Sequence, residues 1–92
     1  MKTIWKYMIP SNRGEELDYE LPLGAEPLAL QMQDNYPTMW FLVDPEAKTF
    51  RATFVIVVTG GDVPKGISRY IGTFQAGKFV GHVFQTRFGV HP

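Results

Sequence analysis

A chain of 92 residues with nine basic and nine acidic side chains, zero formal net charge and no cysteine excludes several classes at once. Without cysteine there is no disulfide, thiolate metal site or thiol nucleophile, and without excess positive charge no long nucleic acid is expected as a partner. The length predicts one domain, residues 1–92, and the 45% hydrophobic and 20% charged content is that of a folded globule rather than a disordered chain.

Thr3–Ile9 reads as a first strand, rich in β-formers and stopped by Pro10, with Ser11-Asn12-Arg13-Gly14 as a turn cluster. Glu15–Leu21 returns with clean alternation, Leu17, Tyr19 and Leu21 inward against Asp18 and Glu20 outward. Pro22 and Gly24 break it, and Pro27 suits only a strand start or an edge. Leu28, Leu30 and Met32 alternate with Ala29, Gln31 and Gln33 as a third strand. The turn Asp34-Asn35-Tyr36-Pro37 then leads to Thr38–Val43, apolar on both faces.

After Asp44–Lys48 comes the stretch Thr49–Gly61, which holds the longest β-favouring run, Phe54–Val58. Phe54, Ile56 and Val58 point one way and Val55 and Val57 the other, so both faces need cover, one from the core and the other from a second subunit. Gly60-Gly61 lets the chain leave sharply, and DVPKGIS follows as irregular chain or a single helical turn. Arg69–Gln75 and Phe79–Thr86 are the last strands, joined by Ala76-Gly77-Lys78, and Arg87–Pro92 is a frayed or swapped tail. Seven short strands with little helix predict an all-β, mainly antiparallel sandwich or barrel.

Nothing in the pattern resembles a catalytic centre. His82 and His91 are the only histidines, too few for a closed metal site, and Asp18 and Glu20 alternate as a solvated strand face does. Ser11 and Ser68 lack a nucleophile-elbow context. A non-enzymatic protein without metal or cofactor is expected. His82, sharing a strand face with Val80 and Phe84, reads as a satisfied, half-buried histidine, and Trp5 and Trp40 as core or interface anchors.

Charge is unevenly placed. Residues 1–46 hold eight acids against three bases, a net of −5, whereas residues 47–92 hold six bases against Asp62 alone, a net of +5. Such a division suits an anionic ligand, head-to-tail assembly, or charges interspersed within one small fold. The glycine-rich VTGGDVPKG is the best site-like feature. Its amides could form an anion-holding nest with Lys65 close by, or it could be a plain glycine turn. It lacks the spacing of a phosphate loop. No apolar run approaches the ~20 residues of a membrane helix, and MKTIWKYMIP has no signal-peptide core.

The segments MKTIWKY, ELPLGAEPLALQMQ, MWFLVDPEAKTFRATF, TGGDVP and YIGTFQAGKFVGHVFQ, in this order over nearly the whole chain, resemble a widespread family of small phage and prophage proteins of mostly unknown function. That pattern has a histidine after the TG and an aromatic before HVF, where Gly61 and Gly81 stand here. The resemblance implies an accessory, counter-defence role in the cytoplasm of the infected bacterial host. One such role is a homo-oligomeric sponge that sequesters a small anionic nucleotide signal. Arg51, Lys65, Arg69 and Arg87 would then hold phosphates, Thr59, Gly60 and Gly61 would offer backbone amides, and Tyr70 or Trp5 would stack on the base. The alternatives are inhibition of a host factor by protein–protein binding and a minor virion or assembly component.

Overall fold

The computed structural model describes residues 1–10 and 16–87, and there the period-two patterning becomes seven strands. They are β1 (Thr3–Met8), β2 (Leu17–Pro22), β3 (Glu26–Gln33), β4 (Tyr36–Val43), β5 (Thr49–Val58), β6 (Ile67–Ala76) and β7 (Phe79–Thr86). No helix is present among the described residues. The strands form two antiparallel sheets, one ordered β1-β4-β3 and the other β2-β5-β7-β6. The protein is an all-β sandwich.

Alternation explains which residues lie between the sheets. Along β4, Met39, Phe41 and Val43 are essentially fully buried, and along β5 so are Ala52 and Phe54, with Ile56 close behind. Leu17 and Leu21 of β2 and Val83 of β7 complete the layer. Four rings stitch the sheets together: Tyr7 meets Tyr19 and Phe41 at 5.7 and 5.8 Å, and Phe54 meets Tyr19 and Phe41 at 5.8 and 6.2 Å. Tyr19 adds a polar tie, its hydroxyl donating to the Met8 carbonyl at 2.7 Å. Burial pushes the pKa of both phenols up, because the low-dielectric core disfavours the phenolate.

Tyr7 Oη and Trp40 Nε1 are buried with no hydrogen-bond partner among the described residues. An unmade bond of this kind forfeits solvation and returns nothing. Tyr7→Phe is therefore expected to leave the melting temperature unchanged or raise it, in contrast with Tyr19→Phe, which should lower it. Thermal unfolding of the two variants side by side checks this. On the outer side of Trp40, Lys6 reaches across from β1, lying 5.5 Å from the ring centroid and donating to Gln33 Oε1 of β3 at 2.7 Å.

Several boundaries differ from those expected. The β3–β4 turn is only Asp34-Asn35, both at positive φ (51° and 71°), as a two-residue I′ hairpin turn requires. Tyr36 and Pro37 therefore belong to β4. The β6–β7 connection is Gly77-Lys78 alone, since Ala76 pairs with Phe79. The segment DVPKGIS makes no helical turn, and its last two residues, Ile67 and Ser68, already belong to β6. In β3 a register shift between Pro27 and Ala29 throws Leu28 outward, so Leu28 and, at the strand's end, Met32 are exposed. The expected 11–14 turn, Glu15 and the tail beyond Arg87 lie outside the described residues.

Candidate functional site

Strands β5 and β6 are both antiparallel to β7, on either side of it, so they run parallel to each other. The connection between them, residues 59–66, must therefore travel back along the length of β7. It begins with a turn closed by the Gly61 amide donating to the Val58 carbonyl at 2.8 Å, with Gly60 at φ 86°. That positive φ at the third turn residue is the type II requirement that glycine meets without strain. The loop then passes over the outer face of the four-stranded sheet.

Between loop and sheet lies a pocket of about 410 Å³, within the range of small-molecule sites. Its apolar wall is Val57, Val63 and Phe84, and Tyr70 stands at the side with its ring half exposed. The Tyr70 and Phe84 rings are 5.3 Å apart, tilted by 55°. Its polar groups come from three segments. Thr59 Oγ1 and His82 Nε2 share a hydrogen bond at 2.7 Å, and His82 Nδ1 and Thr73 Oγ1 share another at 2.8 Å. Thr73 Oγ1 is in turn bonded to the Tyr70 hydroxyl. The four side chains form one unbroken chain across loop, β7 and β6.

Register explains how they meet. Thr73 sits opposite His82 and Tyr70 opposite Phe84. Residues three apart on a strand should face opposite ways, but a bulge between Tyr70 and Gly72 restores Tyr70 and Thr73 to the same face. A second pocket of about 420 Å³ lies across the loop, sharing Val57, Val58 and Gly61, and its charged lining is acidic, Glu16 and Asp62.

Of the residues expected to form a site, Thr59, Gly60, Gly61 and Tyr70 come together here. The two-amide nest does not form, because the Gly61 N–H is spent on closing the turn. Arg69 is half-buried. It points between the sheets, where Nε donates to Gln85 Oε1 at 2.8 Å and Nη2 to the Ala25 carbonyl at 2.9 Å. Arg51 lies on the outer face of β5 opposite Glu20, six residues or ~20 Å along the strand from Val57. Lys65 is exposed in the loop, and the Arg87 amide, donating to the Gly66 carbonyl at 2.6 Å, brings Arg87 beside it. Neither lines the pocket. Trp5 is on edge strand β1 of the other sheet.

His82, expected as a satisfied histidine, is one, half-buried with both ring nitrogens bonded. Its partner Thr73, with Val57, Val63 and Phe84, was missed, and Thr59, expected to offer a backbone amide, takes part through its hydroxyl. The signal available was parity: Val57, His82 and Phe84 all occupy the outward register of their strands. Arg69→Ala is expected to cost roughly 1.5–3 kcal/mol of stability, since it removes two charge-assisted bonds and strands a buried glutamine, while leaving the pocket intact. Chemical denaturation of that variant gives the value directly.

A family model covers residues 1–90. The chain belongs to the family described as Domain of unknown function (DUF7352). No curated protein and no solved structure matches it. Family membership thus spans nearly the whole sandwich, loop and pocket included, without bringing an assigned activity. Among the described residues no group of three or more histidine and acidic side chains is placed to hold a metal ion. No helix there is long and apolar enough to cross a membrane.

Proposed function

We propose that the protein is a phage-encoded accessory protein that binds and retains a small nucleotide signal, without turning it over, as a homo-oligomer in the cytoplasm of the infected bacterium. The observation that carries the reading is the pocket under the 59–66 loop, where an aromatic pair and a chain of hydroxyl and imidazole groups face one cavity. Rings stack on bases while side-chain hydroxyls and an imidazole bond to heteroatom edges. Lys65 and Arg87, exposed and gathered near one end of the loop, are the bases left to meet a phosphate. Support for assembly comes from Val58, Val63 and Tyr70, each about half exposed at 48%, 52% and 52%, around the pocket mouth.

A thermal-shift panel of linear and cyclic nucleotides tests the reading. At a hundredfold excess over Kd, binding adds about 2.7 kcal/mol, which for a domain this size is roughly 10–20 °C in Tm. Val57→Glu, which places a carboxylate in the pocket wall, should abolish the shift. A panel in which no nucleotide moves Tm contradicts the proposal.

A second reading, docking of a host protein, is favoured by a different surface. On the outer face of the three-stranded sheet, Ile4 and Met8 are more than half exposed and flank Lys6, opposite Leu42 and Thr38 of β4. Ile4→Asp with Met8→Asp should abolish such docking and leave nucleotide binding untouched.

A further inference from the structure

We infer that β1 is the assembly edge: two copies join by antiparallel pairing of β1 with β1 about a two-fold axis at Trp5, merging their β1-β4-β3 sheets into one. This rests on the homo-oligomer in the reading above and gives it a surface, on the opposite sheet from the pocket.

An open sheet edge invites another strand, and proteins blunt such edges with proline, bulges or charge. The edge strands here are β1 and β3 of one sheet and β2 and β6 of the other. β3 has Pro27 with a register shift beside it, and β6 has shifts at Ile67/Arg69 and Tyr70/Gly72. β2 carries Asp18 and Glu20 and ends in Pro22. β1 has none of these guards. It contains no proline and pairs with β4 without a break from Thr3 to Met8. Its one charge, Lys6, is drawn back over its own sheet onto Trp40 and Gln33. Ile4, Trp5 and Met8 are exposed at 56%, 39% and 53%, although Trp5 shares the inner face with Phe41, its partner in the register.

Alternation identifies the free backbone groups. The Ile9 N–H donates to the Pro37 carbonyl of β4 at 2.8 Å, so Thr3, Trp5 and Tyr7 also turn their amides and carbonyls toward β4. Ile4, Lys6 and Met8 turn theirs to the open side. There the Met8 carbonyl already accepts from the Tyr19 hydroxyl of the other sheet, which leaves Ile4 and Lys6. With Ile4 of each copy opposite Lys6 of the other, each of these pairs exchanges two backbone bonds. Trp5 meets Trp5 at the axis as the close, non-hydrogen-bonded pair, Cα atoms about 4.5 Å apart.

Charge selects this register. Sliding it by one pair sets Lys6 opposite Lys6 in one direction and Lys2 opposite Lys6 in the other, both destabilising. In the register inferred, Lys6 faces Ile4 and Lys2 faces Met8. A strand that fits itself about a two-fold axis points to a second copy rather than a foreign strand. Zero net charge adds no long-range repulsion between copies. The edge is short beside the ~1,200–2,000 Å² of a standard interface, so the dimer is expected to be a micromolar one.

Analytical ultracentrifugation over a concentration series should show monomer passing to dimer. Ile4→Pro removes an N–H that points to the open edge, a position where a strand tolerates proline. It should weaken the dimer roughly 100-fold, about tenfold for each of two lost backbone bonds, with the circular dichroism of the fold retained. Trp5→Cys places the chain's only cysteine at the axis and should yield a disulfide-linked dimer on mild oxidation. Lys6→Cys, which faces Ile4, should not, and this comparison holds even if Ile4→Pro fails to fold. A protein monomeric at every concentration overturns the inference together with the homo-oligomer. A dimer that survives Ile4→Pro, or Trp5→Cys linking no better than Lys6→Cys, overturns β1 as the surface and leaves the homo-oligomer standing. Nucleotide retention is read apart from both, in the thermal-shift panel, because the pocket lies on the four-stranded sheet.

Discussion

Phe54→Ala is expected to lower stability by about 3–5 kcal/mol, the usual cost of deleting a fully buried phenylalanine. For a domain of this size that is roughly 15–30 °C in Tm, enough to unfold much of the protein near 37 °C if its stability is ordinary. Phe54 has no solvent exposure and touches rings from both sheets, Tyr19 of its own and Phe41 of the other. Its loss opens a cavity where the two layers are joined, and the strands cannot close it without shifting every cross-strand pair. Phe84→Ala removes the same group from the outer face, where Phe84 is only half-buried. It should cost far less stability and show itself in ligand binding. Urea denaturation of both variants separates the two roles.

Gly81→Ala should also be damaging, by about 1–3 kcal/mol, although it adds one methyl group. Gly81 is buried on the inner face of β7. A Cβ there would lie 2.7 Å from Cε1 and Cζ of Phe74 and 2.9 Å from Cγ2 of Ile56. Phe74 is itself buried and packed 5.8 Å from Phe79, so its ring has little room to retreat. Phe74→Leu in the same chain should recover part of the loss, a coupling that a double-mutant cycle measures. Gly72 plays the matching part between sheets, where a Cβ would stand 2.9 Å from that of Leu30.

The fold was legible because alternation is a local signal. Leu17, Tyr19 and Leu21 read as inward from sequence, and they are; β7 begins and ends where expected. What was not legible came from the path between elements. Val55 and Val57 called for cover on a second face, and part of that cover is the chain's own 59–66 loop, because the parallel relation of β5 and β6 sends it back over β7. Nothing within the loop's residues encodes that route. The two bulges in β6 likewise change parity without a sequence mark, so Tyr70 and Thr73 could not be placed together in advance.

The candidate site was half visible for a related reason. Thr59, Gly60, Gly61 and Tyr70 were singled out and do meet. The arginines, chosen for charge, were not distinguishable by exposure from sequence. Arg69 looked like any strand arginine, yet inner-face register and two inter-element bonds make it part of the frame. His82 was weighed as a satisfied histidine and is one, but its partners make it the centre of the polar chain.

The central claim, that a nucleotide is held beneath the 59–66 loop, is tested most directly by amide chemical-shift mapping during titration with the nucleotide that gives the largest thermal shift. The predicted result is saturable perturbation confined to Thr59–Gly61, Val63, Tyr70, Thr73, His82 and Phe84, with the three-stranded sheet silent. Perturbations centred instead on Ile4, Met8 and Trp40, or spread without saturation, would contradict it.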